Sequence, residues 1–255
     1  MADPKKVFLV IGAGAGIGGH VGKRFAAGGY HVVLARRSGA EGLQNLVAEI
    51  EDAGGSATGT LLDASEDGTI EALVEQVEGE IGPISGALYN LGAQIGNRAL
   101  GDTPHRTFEL GWRLGTFGLF RLAHALMPRM VERGSGSLIV TSATAAVRGN
   151  AGQHSHAAAM GGRRMLCQTL NAEFASNGIH VAHVVIDGPV DAPDTLGKML
   201  GEKFEAFKDH KGEDGVLSPA AVAETYWHLA HQPRSAWTHE LDLRPWTDVP
   251  WWNDN

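Results

Sequence analysis

The chain has 255 residues, 43 % hydrophobic and 20 % charged, with a formal net charge of −8, a length and balance suited to one α/β domain with a full core. The acidic balance and the lack of any Lys/Arg-rich block argue against nucleic acid or an anionic membrane as partner, and no run approaches the roughly 20 apolar residues of a membrane span. A single cysteine, Cys167, excludes an internal disulfide framework and a multi-thiolate zinc site, and fits a reducing, cytoplasmic setting.

"MADPKKVFLVIG" carries an apolar run too short for a signal peptide and is expected to be the first strand of the domain, over 7–12. A Gly-rich turn and a helix through "RFAAGG" lead to a second strand, "HVVLA" (31–35). "GLQNLVAEIEDAGG" (42–55) is amphipathic and stops on two glycines. "ATGTLLDAS" (57–65) reads as a strand, with Ser65 placed to cap the next helix, and "ISGALYNLG" (84–92) as another. Thr103 and Pro104 supply an N-cap and a first-turn proline for a long helix reaching about Arg133. That helix holds glycines at 111, 115 and 118, each costing about 0.5–1 kcal/mol against alanine, so close approach of another element is expected there. "SLIVTSA" (137–143) and "HVAHVVID" (180–187) are two further strands. The alternation implies a doubly wound parallel sheet of Rossmann type between two helical layers, in a single domain over 1–255.

"IGAGAGIGGH" (11–20) follows the first strand and opens the first helix. Gly12, Gly16 and Gly18 permit a tight turn and let backbone N–H groups approach a pyrophosphate at the helix N-terminus. A glycine turn alone also occurs for packing. Here the G-x-x-x-G-x-G spacing resembles the short-chain dehydrogenase/reductase family, and other positions follow in that family's order. Asp63 in "LLDAS" matches the acid that contacts adenine. Asn90 and Gly92 in "YNLG" match two positions of the N-N-A-G turn. "SGSLIVTSA" matches the fifth strand, and "IDGPVDAP" (186–193), with Gly188 and Val190, matches the segment that holds the nicotinamide carboxamide. The resemblance implies a dinucleotide site built from these residues together with Ile17. At the end of the second strand, Arg36 and Arg37 replace the acid that would accept bonds from ribose hydroxyls. A guanidinium there suits a 2′-phosphate and favours NADP(H) over NAD(H), although a solvated surface pair is the plainer alternative.

The family's chemistry uses Asn, Ser, Tyr and Lys, and the resemblance places these at Gly115, Ala143, His156 and Met160, so all four are replaced. Asp187 and Ala192 also depart from the family's Pro and Thr, and Ile11 from its usual Thr. Tyr89 is expected to line the cofactor cleft. In "GQHSHAAAMGG" (152–162), His154 and His156 are two apart on a helix start and share no face, so a metal site is disfavoured. His156 can serve as acid–base at neutral pH, with Ser142 or Thr144 steadying a substrate oxygen. His180 and His183 look structural or surface-facing.

The charged segment 191–215 stands where the family carries a substrate lid, and four of the six tryptophans fall within 236–252, in a C-terminal segment (236–255) expected to pack on its own core or on a partner subunit. The long Gly-containing helix commonly lies at the subunit interface in the family, which implies a homo-oligomer, a dimer or tetramer. Three functions compete: an NADP(H)-dependent oxidoreductase of a small carbonyl or alcohol, a non-redox enzyme on the same scaffold, and a catalytically degenerate dinucleotide-binding homologue.

Overall fold

"VFLVI" is apolar at every residue, and a parallel strand of that pattern has to be covered on both faces. The computed structural model describes residues 6–92 and 96–253; the first five residues of the opening segment and the last two of the Trp-rich segment lie outside them. The strands are β1 (Val7–Ile11), β2 (His31–Arg36), β3 (Ser56–Leu61), β4 (Ile84–Tyr89), β5 (Gly136–Ala143), β6 (Ile179–Ile186) and β7 (Glu240–Leu243). They form one sheet in the order β3-β2-β1-β4-β5-β6-β7, with every neighbouring pair parallel. The helices are α1 (Ile17–Ala27), α2 (Ala40–Asp52), α3 (Thr69–Gln76), α4 (His105–Trp112), α5 (Gly118–Arg133), α6 (His154–Phe174), α7 (Lys198–Leu200), α8 (Phe204–Lys211) and α9 (Pro219–Ala230).

Strand alternation divides the core between the two faces. Val7, Leu9 and Ile11 join the layer under α3, α5 and α6, whereas Phe8 and Val10 join the layer under α1, α2 and α9. The chain runs from β1 outward to β2 and β3, then returns to place β4 on the other side of β1. This reversal opens a crevice at the carboxyl ends of β1 and β4, the place where doubly wound sheets bind ligands. The expected doubly wound fold is therefore present.

Local details differ from expectation. Ser65 caps no helix: its N–H and hydroxyl both donate to Asp63 Oδ1, at 2.9 and 2.6 Å, and α3 starts four residues later, after Gly68. The nearby carboxylate is a stronger partner for Ser65 than a helix end. Pro104 is the N-cap residue of α4, one position outside the helix, and Thr103 Oγ1 donates back to Ala99 O instead.

The long helix is continuous from α4 through one widened turn, Arg113–Phe117, into α5. Tyr89 accounts for its glycine at 118. Tyr89 is fully buried in the core and its hydroxyl donates to Leu114 O at 2.6 Å, and a Cβ at Gly118 would lie 2.2 Å from that hydroxyl. Tyr89 therefore does not line the cleft. Its ring completes the apolar layer, and the widened turn gives its hydroxyl a carbonyl. His180 and His183 are both buried and structural. His180 stacks on Trp237 and bonds Thr238 O, and His183 Nδ1 is 3.0 Å from Glu240 Oε2, a carboxylate also held by Arg164.

Candidate functional site

The Gly-rich loop forms because β1 and α1 meet at a close backbone contact. A Cβ at Gly18 would sit 2.1 Å from Gly12 O, and Gly12 itself has φ +102°, so neither position tolerates a side chain. Asn90 ties the end of β4 to this loop: its N–H donates to Ile11 O at 2.8 Å and its Nδ2 donates to Gly12 O at 3.0 Å. At Gly14 the loop faces open space, the nearest atom to a built Cβ being Asp194 Oδ2 at 3.9 Å.

Three adjoining cavities extend from the loop. The first, about 430 Å³, is lined by Gly12, Gly14, Arg36, Arg37, Asp63 and Gly92 among others. The second, about 240 Å³, runs along Gly16, Ile17, Gly18, Asn90, Val190 and Ala192. The third, about 260 Å³, lies between Gly14, His20, Lys23 and Arg36. Ten of the eleven expected cofactor contacts thus border the cleft. The exception is Gly188, which packs against Pro245 and Asp248 of the C-terminal segment. The glycine cradle, the open space and the paired cations fit a dinucleotide.

Charge in the cleft is specific. The Arg36 guanidinium is mostly covered, lies over Gly39 and Gly42 at the start of α2, and bonds Asp194 Oδ2 at 3.3 Å; Arg37 is exposed. Bonds from the Ser65 hydroxyl hold the Asp63 carboxyl below its usual range against the opposing effect of burial, with help from the Ser65 N–H and the Arg37 charge. Burial likewise opposes ionisation of Asp194. The Ala15 N–H bond and the charges of Lys198 and Arg36 outweigh it, so the carboxyl stays below its usual range.

The residues expected at the reaction end, Ser142, Thr144 and His156, with Gly115 and Met160, are not among the residues that line these three cavities. Met160 is buried with Ala145 and Ala159 in a small apolar cluster, and Ala143, Ala146 and Ala157 pack against it. Ser142 is buried, and its hydroxyl points to Met160 Sδ at 3.8 Å, a weak bond. Thr144 is half-buried at the start of a short turn over Thr144–Ala146. His156 is half-buried in the first turn of α6, and the adjacent Ser155 donates to the Thr107 and Phe108 carbonyls of α4. Gly115 is buried in the widened turn. Ser142 thus abuts an alanine- and methionine-filled cluster formed between α6, which carries His156, and the short turn that Thr144 opens, and among the described residues no group of three or more His, Cys, Asp or Glu side chains converges.

Two residues that the sequence reading passed over are central. Arg163 is 1 % exposed in α6, yet among the described residues its guanidinium bonds carbonyls and no carboxylate. Its guanidinium donates to Gly115 O at 2.7 Å, Thr141 O at 2.5 Å and Leu91 O at 2.8 Å, and lies over the Tyr89 ring. It thereby joins the widened turn to the ends of β4 and β5. Burial pulls its pKa down. A signal existed: Arg163 falls on the stripe of Met160, Cys167 and Leu170, an otherwise apolar helical face. Asp194 had none, since its partner Arg36 is 158 residues away.

The departure at Asp187 also has a physical role. Its Oδ2 accepts bonds from Arg244 Nη1 and the Trp251 N–H, while Trp251 Nε1 donates to Asp242 and its carbonyl accepts from Arg148. The Trp-rich segment therefore packs on its own chain, beside the turn that follows β5.

Comparison with known proteins agrees with this architecture. The family model for short chain dehydrogenases matches residues 6–198. The chain is 30 % identical over 243 residues to the short-chain reductase protein NovJ of Streptomyces niveus, covering 94 % of this chain and 88 % of that protein. Among solved structures, a short-chain dehydrogenase from Rhodopseudomonas palustris superposes with TM-score 0.79 at 34 % identity, over 94 % of this chain and 99 % of the other. The actinorhodin polyketide ketoreductase with NADPH superposes with TM-score 0.83 at 26 % identity, over 94 % and 96 % of the two chains. Fold, cleft and relatives agree that the chain belongs to the short-chain dehydrogenase/reductase family of oxidoreductases.

Proposed function

We propose that the protein is an NADP(H)-preferring oxidoreductase that reduces a small carbonyl or oxidises the corresponding alcohol through an altered active centre. One observation carries this reading: Arg36 and Arg37 border the same cavity as the glycine loop and Asp63, where a carboxylate would serve the ribose hydroxyls of NAD(H). The ketoreductase noted above was solved with NADPH, which is consistent with it.

A bound nicotinamide would supply the hydride for carbonyl reduction, or accept it in alcohol oxidation. Gly12, Gly16, Ile17 and Gly18 would hold the pyrophosphate, Arg36 and Arg37 the 2′-phosphate, and Asn90, Gly92 and Val190 the inner wall, with Asp63 at the adenine. His156 would move the proton to or from the substrate oxygen, with Thr144, and Ser142 after turning from Met160, steadying it. Positioned acid–base help of this kind is worth roughly 10²–10⁴ in rate. A panel of small aldehydes and ketones, followed by nicotinamide absorbance with NADPH, tests the reading. Turnover that His156→Ala reduces about 10²-fold or more with NADPH affinity retained supports it; equal turnover by that variant removes His156 from the chemistry.

A second reading, a dinucleotide-binding homologue without turnover, is favoured by the alanine–methionine cluster around Met160. It predicts NADPH binding with no consumption across the panel. For assembly and setting we propose a cytoplasmic homo-oligomer, a dimer or tetramer. The stacked Trp112, Phe117 and Phe120 rings support it, since the outer two are 42 % and 47 % exposed.

A further inference from the structure

Asp194 lies beyond β6, in a turn that continues into α7, and reaches back across the cleft. One oxygen, Oδ2, accepts from the Ala15 N–H and from Arg36 Nη2, each at 3.3 Å, while Oδ1 is 3.6 Å from Lys198 Nζ. The same side chain borders all three cavities of the cleft, so it stands where they meet. A loop N–H, a guanidinium and an ammonium around a single anionic group form the donor set that a phosphate monoester would recruit. The chain's own carboxylate holds it.

We infer that Asp194 is an internal anion competing with the 2′-phosphate of NADP(H) for Arg36, and so sets the protein's affinity for that cofactor. The inference rests on the NADP(H) reading above. Asp194 pairs with Arg36 and with the Ala15 N–H, and so bridges the cleft. Binding of NADP(H) exchanges carboxylate for phosphate on the same guanidinium, and the turn carrying Asp194 moves aside. NADH brings no phosphate to Arg36, so it has no corresponding exchange to make. The pair is partly exposed, with side chains 19 % and 31 % accessible, which makes it a modest brake.

The test measures NADPH and NADH dissociation constants by tryptophan-to-nicotinamide energy transfer at fixed ionic strength. Four proteins form the cycle, the wild type, Asp194→Ala, Arg36→Met and the double variant, and Asp194→Asn is measured beside them. Asp194→Ala is expected to bind NADPH about three- to tenfold more tightly, with NADH affinity changed less than about twofold. In the Arg36→Met background the Asp194→Ala gain should vanish, because the competed cation is gone. Asp194→Asn, which keeps the side chain's volume, should shift affinity in the same direction and separates charge from shape. If the wild type binds NADPH through Arg36 and Asp194→Ala binds it no more tightly, the competition is refuted and the NADP(H) reading stands. Equal tightening for NADPH and NADH would make Asp194 a steric obstruction only, which also refutes it. If neither nucleotide binds any of the four proteins, the NADP(H) reading falls and this inference with it.

Discussion

Two regions at the carboxyl edge of the sheet are built differently. Beyond β1, β2 and β3, the glycine loop, Arg36 and Asp63 border open space and carry charge, and Asn90 at the end of β4 is tied to that loop. Beyond β5, Met160 is buried among alanines, and buried Arg163 binds the Gly115, Thr141 and Leu91 carbonyls to one another. One region is arranged to receive an anion; the other satisfies most of its polar groups internally.

The largest effect should come from removing the residue that closes the second region. Arg163→Ala leaves the Gly115, Thr141 and Leu91 carbonyls without their donor in a buried site, at a cost of roughly 1–3 kcal/mol per unsatisfied group. Urea unfolding should show a loss of about 3 kcal/mol or more. Arg163→Lys should recover only part of it, since one ammonium cannot reproduce the planar fork. A loss below about 1 kcal/mol would show that this contact does not hold the widened turn to the strand ends.

Acid should expose a different part of the second layer. Burial pushes His183 down to about 4, and the opposing Glu240 charge does not overcome it. The folded value lies below the unfolded one, so the unfolded chain takes up the proton first. Stability is full above about pH 6.5 and declines as pH falls toward 4, by on the order of 3 kcal/mol. The Glu240 carboxyl, lowered mainly by its Arg164 bond, adds a further loss below its ordinary range near 4.5. His183→Gln should flatten the upper part of this profile, between pH 6.5 and 4, and leave the lower part. An unchanged profile would place the acid sensitivity elsewhere.

A smaller effect concerns the tail. Asp187→Asn keeps the side chain's shape but weakens the bonds to Arg244 and the Trp251 N–H. It should lower the melting temperature by a few degrees, equivalent to about 1 kcal/mol, and shift Trp fluorescence toward that of exposed indoles.

Much of the fold could be read from the chain because its signals are local. Apolar runs such as "VFLVI" placed β1, β2, β5 and β6 to within about one residue, whereas the runs for β3 and β4 were carried three or four residues too far and β7 was not anticipated; the glycine loop pointed to the crevice. Misreadings arose where a tertiary partner outbid a local one. Ser65 looked like a cap and serves Asp63; Tyr89 looked like a cleft residue and fills the core because the widened turn offers it the Leu114 carbonyl. The cofactor region was legible as a set of positions, but its electrostatics were not. The pairing of Arg36 with Asp194 spans 158 residues, and no periodicity or motif encodes it. The role of buried Arg163 could not be read either, because it needs the geometry of three separate carbonyls.

The most direct test of the account is the pair of binding constants for NADPH and NADH, measured on the wild type and on Arg36→Met. The account predicts that the wild type prefers NADPH and that Arg36→Met loses about tenfold or more in NADPH affinity, as expected for charge-assisted bonds to a phosphate, with NADH little changed. Equal affinity for the two nucleotides in the wild type, or an Arg36→Met variant that binds NADPH as the wild type does, would contradict it.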